Sequence, residues 1–173
     1  MMKGGILLVP VGTVPPEVCG WLIDALSSVF DCTCHMAPAM LQPAFALNPR
    51  RAQYAADAIL AQVDAGEAKY ALAIADLDLY VPQLNFVFGL ADRAAAHAII
   101  ALPRLRQSFY GLPDDTSLFC GRVVKEAVHE LGHVQGLEHC RDRRCVMAFS
   151  NSLADTDHKG QEFCEKCKKT RRV

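Results

Sequence analysis

The sequence predicts an α/β fold: a mixed, partly parallel twisted sheet with an antiparallel edge, packed on helices. Three observations predict it. From residue 4 to 75, short β-rich apolar runs alternate with longer runs at helical spacing, the pattern of β-α-β units. Two further β-rich runs follow, separated by only three residues, which is a hairpin added to the sheet. From Gly121 the chain turns helical and then cysteine- and charge-rich to Val173. With 173 residues and 18.9 kDa, there is material for one hydrophobic core.

The elements follow in order. Met1-Met2-Lys3 leads into Ile6 to Val11, read as a first buried strand because Pro10 and Pro15-Pro16 interrupt the run and no small-x-small cleavage site follows. Pro15-Pro16 suits a helix start, and Val18, Trp21, Leu22, Ala25, Leu26 and Val29 then share one face up to Phe30. Cys32 to Met36 is a second strand. Pro38, Pro43 and Pro49 punctuate a loop, and Arg51 to Val63 reads as an alanine-rich helix closed by Gly66. Tyr70 to Ala75 is a short continuous apolar run, suited to a strand buried on both faces. Leu84 to Leu90 and Ala94 to Leu102 form the hairpin, and Arg104 to Asp115 is a loop. The helix from Gly121 runs to about Gln135.

Composition narrows the function. At 51% apolar and 21% charged, with mean hydropathy +0.13, the chain is not disordered, and no uncharged run is long enough to span a membrane. Eighteen basic residues against nineteen acidic ones leave a formal charge of −1 and no global footprint for nucleic acid. Eight cysteines mean metal or redox chemistry in a reducing compartment and disulfides in an oxidising one. With no secretion signal read at the N-terminus, the thiols are assigned to a cytoplasmic protein.

The chemistry sits in His129-Glu130-Leu131-Gly132-His133-Val134-Gln135-Gly136-Leu137-Glu138-His139, an HExxH core extended to HExxHxxGxxH. Residues four apart on a helix lie on one face, so His129 and His133 can present imidazoles to one ion. Glu130 flanks that ion, where a carboxylate accepts a proton from water rather than ligating. Gly136 permits a turn that ends the helix and swings His139 back as a third ligand. Three neutral nitrogens leave a fourth position open, the arrangement of a catalytic zinc. The rival is an ordinary amphipathic helix with exposed histidines, but five fixed positions in eleven, each with its own mechanical task, favour zinc.

Cys140, Cys145, Cys164 and Cys167 follow as C-x4-C and C-x2-C, two chelating knuckles that close one tetrahedral thiolate site. Four sulfur ligands leave no open position, so this second zinc is structural, and it pins residues 140–173 onto the end of the active-site helix. Two disulfides are the competing account and require an oxidising compartment. Met147 is either a floor beneath the histidines or a core methionine; its spacing does not choose.

These motifs resemble the archaemetzincins, or archaelysins, within the metzincin zinc proteases. The resemblance rests on HExxHxxGxxH, Cys140, Cys145-x-Met147 and Cys164-x-x-Cys167, with Tyr80 to Leu90 similar to the family's sheet-edge region. It implies a zincin-like fold over a single domain, residues 1–173, with 140–173 as a zinc-knuckle-like C-terminal extension. It also implies a catalytic zinc on His129, His133 and His139, Glu130 as general base, a second zinc on the four cysteines, and Met147 as the Met-turn. The Met147-to-Cys164 interval is one residue shorter than the family pattern. No tyrosine follows Met147, where Phe149 and Ser150 stand, so Tyr80 and Tyr110 are the remaining phenols to consider for oxyanion stabilisation.

Other residues receive ordinary readings. Cys19, Cys32, Cys34 and Cys120 are core thiols, and His97 is a core or edge histidine. Asp76 and Asp78 are as easily solvated turn residues as site residues, and Lys166, Lys168, Lys169, Arg171 and Arg172 form a solvated basic end, which makes nucleic acid an improbable partner. The expectation is therefore a zinc metallopeptidase, of endopeptidase or aminopeptidase type, acting on a peptide or protein, with no membrane partner. Hairpin residues 84–102 would offer an edge strand along which an extended peptide pairs. The rival is a non-catalytic zinc-stabilised module that binds protein or nucleic acid.

Overall fold

A computed structural model describes residues 4–172. Met1-Met2-Lys3 and Val173, the outer ends of the proposed domain, lie outside the described residues. The strands are β1 (Ile6–Val11), β2 (Cys34–Met36), β3 (Leu47–Asn48), β4 (Gln53–Ala55), β5 (Tyr70–Ala75), β6 (Leu79–Tyr80), β7 (Gly89–Asp92) and β8 (His97–Ala101). The helices are α1 (Pro16–Phe30), α2 (Ala56–Leu60), α3 (Thr116–Val134), α4 (Leu153–His158) and α5 (Glu165–Thr170).

Five strands form the main sheet in the order β2-β1-β5-β8-β7. All its pairings are parallel except β7 with β8, so the antiparallel strand lies at the edge, as the hairpin reading requires. From β1 the chain moves one way through α1 to β2, then the other way through α2 to β5. Right-handed crossovers in opposite directions place the two helices on opposite faces of the sheet. The side chains record it. Ile6, Leu8, Leu72, Ile74 and Ile100 pack with α1 and α3, whereas Val9, Val11, Ala73, Ala75 and Ile99 pack with Ile59 and Leu60 of α2.

The alternation explains why these runs read as buried strands: neighbouring residues enter different cores, so almost none of β5 is polar. In α1, Val18, Leu22, Leu26 and Phe30 recur at three- and four-residue spacing and are buried against the sheet. Asp31 ends that helix in the left-handed region.

Three expectations change. The helix expected over Arg51 to Val63 is confined to Ala56–Leu60. Ala52 takes a positive φ of 52°, which no helix accommodates, and Tyr54 and Ala55 pair in parallel with Leu79 and Tyr80. Tertiary pairing has overridden alanine's helix propensity there. The expected strand Leu84 to Leu90 begins only at Gly89, because the residues before it form a loop held by Arg51, whose Nη2 donates to the Leu84 and Asn85 carbonyls at 2.8 and 2.9 Å. The long helix starts five residues before the expected Gly121, since the Asp115 side chain caps it by accepting from Leu118 N at 2.9 Å.

Candidate metal centres

Helix α3 carries the first two histidines and stops where the third is needed. Gly136 takes φ 90°; its N–H donates to the His133 carbonyl at 2.9 Å and that of Leu137 to the Gly132 carbonyl at 3.0 Å, the paired bonds of a Schellman end. The chain then reverses and returns His139 to its partners, with ring centroids 4.9 Å from His133 and 5.4 Å from His129. One ring nitrogen from each of the three lies within 4.8 Å of the others.

Backbone carbonyls set the imidazole tautomers. His129 Nδ1 lies 2.8 Å from the Val146 carbonyl, and His133 Nδ1 lies 2.8 Å from that of Leu137. A carbonyl accepts only, so each Nδ1 carries the proton and each Nε2 keeps a bare lone pair. Those two Nε2 atoms face one another at 3.0 Å. Burial lowers the pKa of His129 to about 2, with the Lys159 charge second, and burial also holds His133 and His139 below the ordinary histidine range. Neutral imidazoles with converging lone pairs repel one another until a cation joins them, which is the donor set zinc takes.

Glu130 is buried beside this triad, and burial raises its carboxyl well above the usual range. The neighbouring Glu126 charge raises it further, and Lys159 acts against both. Two glycines make the arrangement possible. A β-carbon on Gly89 of β7 would stand 2.5 Å from Glu130 Cγ, and one on Gly132 would overlap the Met147 sulfur. The fully buried Met147 thus lies directly under the helix segment between the two histidines, which favours the floor reading. Above the triad opens a cavity of about 660 Å³ lined by Leu84, Phe86, Phe88, Leu90, Phe149, the three histidines and Glu130.

The four cysteine sulfurs lie within 4.8 Å of one another, with Cys140–Cys164 and Cys145–Cys167 each at 3.8 Å. Zinc–sulfur bonds of about 2.3 Å give a tetrahedron of edge about 3.8 Å, whereas a disulfide needs about 2.05 Å. All eight cysteines are free. Cys145 Sγ accepts from the N–H groups of Met147 and Cys164 at 3.4 and 3.3 Å, and the Cys167 backbone N–H leads in lowering the Cys164 pKa. Burial leads in raising the Cys145 and Cys167 thiols, and against it such donors favour thiolate, the form that binds metal.

The structure brings together every residue singled out for the two metal centres. It leaves Tyr80 and Tyr110 out of the cavity: the Tyr80 hydroxyl accepts from Asn48 Nδ2 at 3.2 Å, and the Tyr110 hydroxyl donates to the Arg104 carbonyl at 3.3 Å. Asp76 and Asp78, left open between turn and site roles, form half-buried bidentate pairs with Arg106 and Arg104. Sequence reasoning missed Glu126, Lys159, Gly89 and Arg93. Arg93 Nη2 donates at 2.7 Å to the same Leu137 carbonyl that orients His133. Only Glu126 had a local signal, being four residues before Glu130 on the same helix face.

The chain matches the model of peptidase family M54 over residues 46–172. It is similar to the archaemetzincin of Methanocaldococcus jannaschii, at 42% identity over 95% of this chain and 90% of that one. Among solved structures, the archaemetzincin of Archaeoglobus fulgidus complexed with malonate superposes with a TM-score of 0.83 at 35% identity, covering 95% of this chain and 98% of that one. A zinc-dependent peptidase from Methanocorpusculum labreanum gives 0.84 at 31%, with the same coverage.

Proposed function

The chain belongs to peptidase family M54, the archaemetzincins, and is a zinc metallopeptidase; from that membership we propose which residues do the work. His129, His133 and His139 hold the catalytic zinc, Glu130 is the general base, and Met147 is the floor. Cys140, Cys145, Cys164 and Cys167 hold the second, structural zinc. The observation that carries the reading is the pair of Nε2 lone pairs facing each other at 3.0 Å beside a buried carboxylate.

Zinc held there supplies Lewis acidity, acidifying water and polarising the carbonyl under attack. Glu130 takes the proton released as water attacks the peptide carbon and returns it to the departing amine nitrogen. Burial and the Glu126 charge strengthen this carboxylate as a proton acceptor, and Lys159 acts against them. The outer edge of β7 offers backbone groups to an extended peptide, because its other edge is occupied by β8. The apolar residues around the cavity then receive a substrate side chain.

We read residues 1–173 as one zincin-like domain. In support, Cys145, Val146, Met147, Phe163 and Cys167 of the 140–173 extension share the core of α1 and α3. Among the described residues no helix is long and apolar enough to cross a membrane. A cytoplasmic location is proposed from the four-thiol site, which needs reduced cysteines, and the exposed basic end is read as solvated rather than as a nucleic-acid site.

The test is digestion of a peptide library by the wild type and by Glu130→Ala, with zinc content measured in both. The variant should keep its zinc and lose about 10²–10⁴-fold in turnover. Wild-type turnover in the variant would remove Glu130 from the mechanism, and a wild type that binds two zinc ions but cleaves nothing would favour the binding module.

A further inference from the structure

Helix α4 packs Leu153 on the core but is otherwise tied to α3 by polar contacts; of its six residues only Thr156 is buried. The contacts climb α3 toward the histidines. Arg122 forms a bidentate pair with Asp157 at 2.7 Å, and Lys125 Nζ donates to the Thr156 carbonyl at 3.0 Å. Lys159, just past the end of α4, lies 3.2 Å from Glu126 Oε1 as an ion pair not aligned as a hydrogen bond.

Lys159 is 2% exposed. Lysine is almost never fully buried, and removing an ammonium from water costs several kcal/mol even after relaxation. An apolar contact would hold the strap more cheaply. The ammonium instead sits behind a single ligand, 3.4 Å from His129 Nδ1 and 3.4 Å from the Ala148 carbonyl. That carbonyl is two residues from Val146, whose own carbonyl receives the His129 Nδ1 proton. One turn of backbone therefore accepts from His129 at one point and faces Lys159 at the next.

We propose that Lys159 is a positioning residue for the catalytic zinc: its ammonium, anchored by Glu126, holds the Val146–Ala148 turn against His129 and so fixes the direction of Nε2. The inference rests on the reading of His129 as a zinc ligand. Ligands whose remaining ring nitrogen is held in place bind metal about 10–100-fold better than those left free.

The test uses the double variant Lys159→Met with Glu126→Leu, which removes both charges at similar volume and leaves neither buried alone. Zinc affinity of the histidine centre is read by chelator competition, the melting temperature by calorimetry, and the His129 Nδ1–H by nitrogen-15 imidazole spectra of the zinc-free centre. Expected are an unchanged or higher melting temperature, a 10–100-fold weaker zinc affinity, a lower kcat at unchanged KM, and a broadened Nδ1–H signal. Wild-type zinc affinity and kcat in the double variant would overturn the proposal, and so would its failure to fold, which would make the pair a global prop. A wild type that binds zinc only at its cysteines would fail the histidine reading instead, which separates the two.

Discussion

The histidine centre and the cysteine centre occupy neighbouring stretches of one chain and are built on opposite plans. The histidine centre takes two of its three imidazoles from a single helix, orients each through a backbone carbonyl, and leaves one side open to a cavity of about 660 Å³. The cysteine centre takes Cys140 and Cys145 from one loop and Cys164 and Cys167 from the start of α5, and on the proposed assignment its four sulfurs leave no position open to substrate. On the proposed assignment, rigidity is supplied by the protein to one metal and by the metal to the protein at the other. Removing zinc should leave the histidine helix standing, whereas the cysteine loops depend on their ion.

The largest expected effect breaks the cysteine side. Cys145→Ala should cost a share of folding free energy comparable with whole-domain stability, about 5–15 kcal/mol, because a structural zinc contributes that order of energy. Thermal melts and metal analysis would show a collapsed transition and at most one zinc; two retained ions and an unchanged melt would refute a structural role. Activity should fall as well, since Cys140 adjoins His139.

A smaller effect distinguishes the floor of the histidine side. Gly132→Ala forces a methyl into Met147, with Phe163 Cε1 only 3.0 Å away, and overpacking of that kind costs about 1–3 kcal/mol. The loss should appear as a lower melting temperature, together with weaker zinc binding at the histidines alone. Smaller still is Gly89→Ala, which displaces Glu130 without touching a ligand. Turnover should drop about tenfold, or about 1.4 kcal/mol of barrier, with both zinc ions kept. An unchanged kcat would mean that Glu130 tolerates the shift.

The change with the least consequence for hydrolysis, a labelling rate, separates the cysteines of the metal centre from the rest. Burial, followed by the Cys34 charge, raises the Cys32 pKa from 9.0 to about 11. A raised pKa keeps the thiol protonated, so at pH 8 Cys32 should alkylate about a hundredfold more slowly than a free cysteine, with the rate climbing until pH 11. Peptide mapping after iodoacetamide treatment checks this, and fast labelling at pH 8 would contradict it. Hydrolysis should be indifferent to the outcome.

What could be read from sequence follows the same contrast. The clustering of the HExxHxxGxxH histidines was legible because its geometry is local: a helix face and one glycine turn determine it. The clustering of the cysteines was legible because each pair lies close in sequence. Strands β1 and β5 were legible because both faces are buried. The Arg51–Val63 helix misled because strand pairing with Leu79 and Tyr80, a non-local contact, decides that stretch. Lys159 was silent for the same reason, since it meets Glu126 across 32 intervening positions of chain and nothing nearby marks it for burial.

The Cys140 N–H donates to the Met147 carbonyl at 2.9 Å, and Cys140 bridges Ala148 in parallel, so the backbone at the junction of the two centres is extended. Along extended chain, successive side chains point to opposite sides. On the proposed assignment, His139 and Cys140 address different metals because they are adjacent, not in spite of it. A single inserted residue between them would turn one ligand away from its ion, whereas the exposed turn at residues 64–67 has no such parity to keep. For anyone grafting, tagging or shuffling this protein, the 139–140 peptide bond is one place where length cannot be changed.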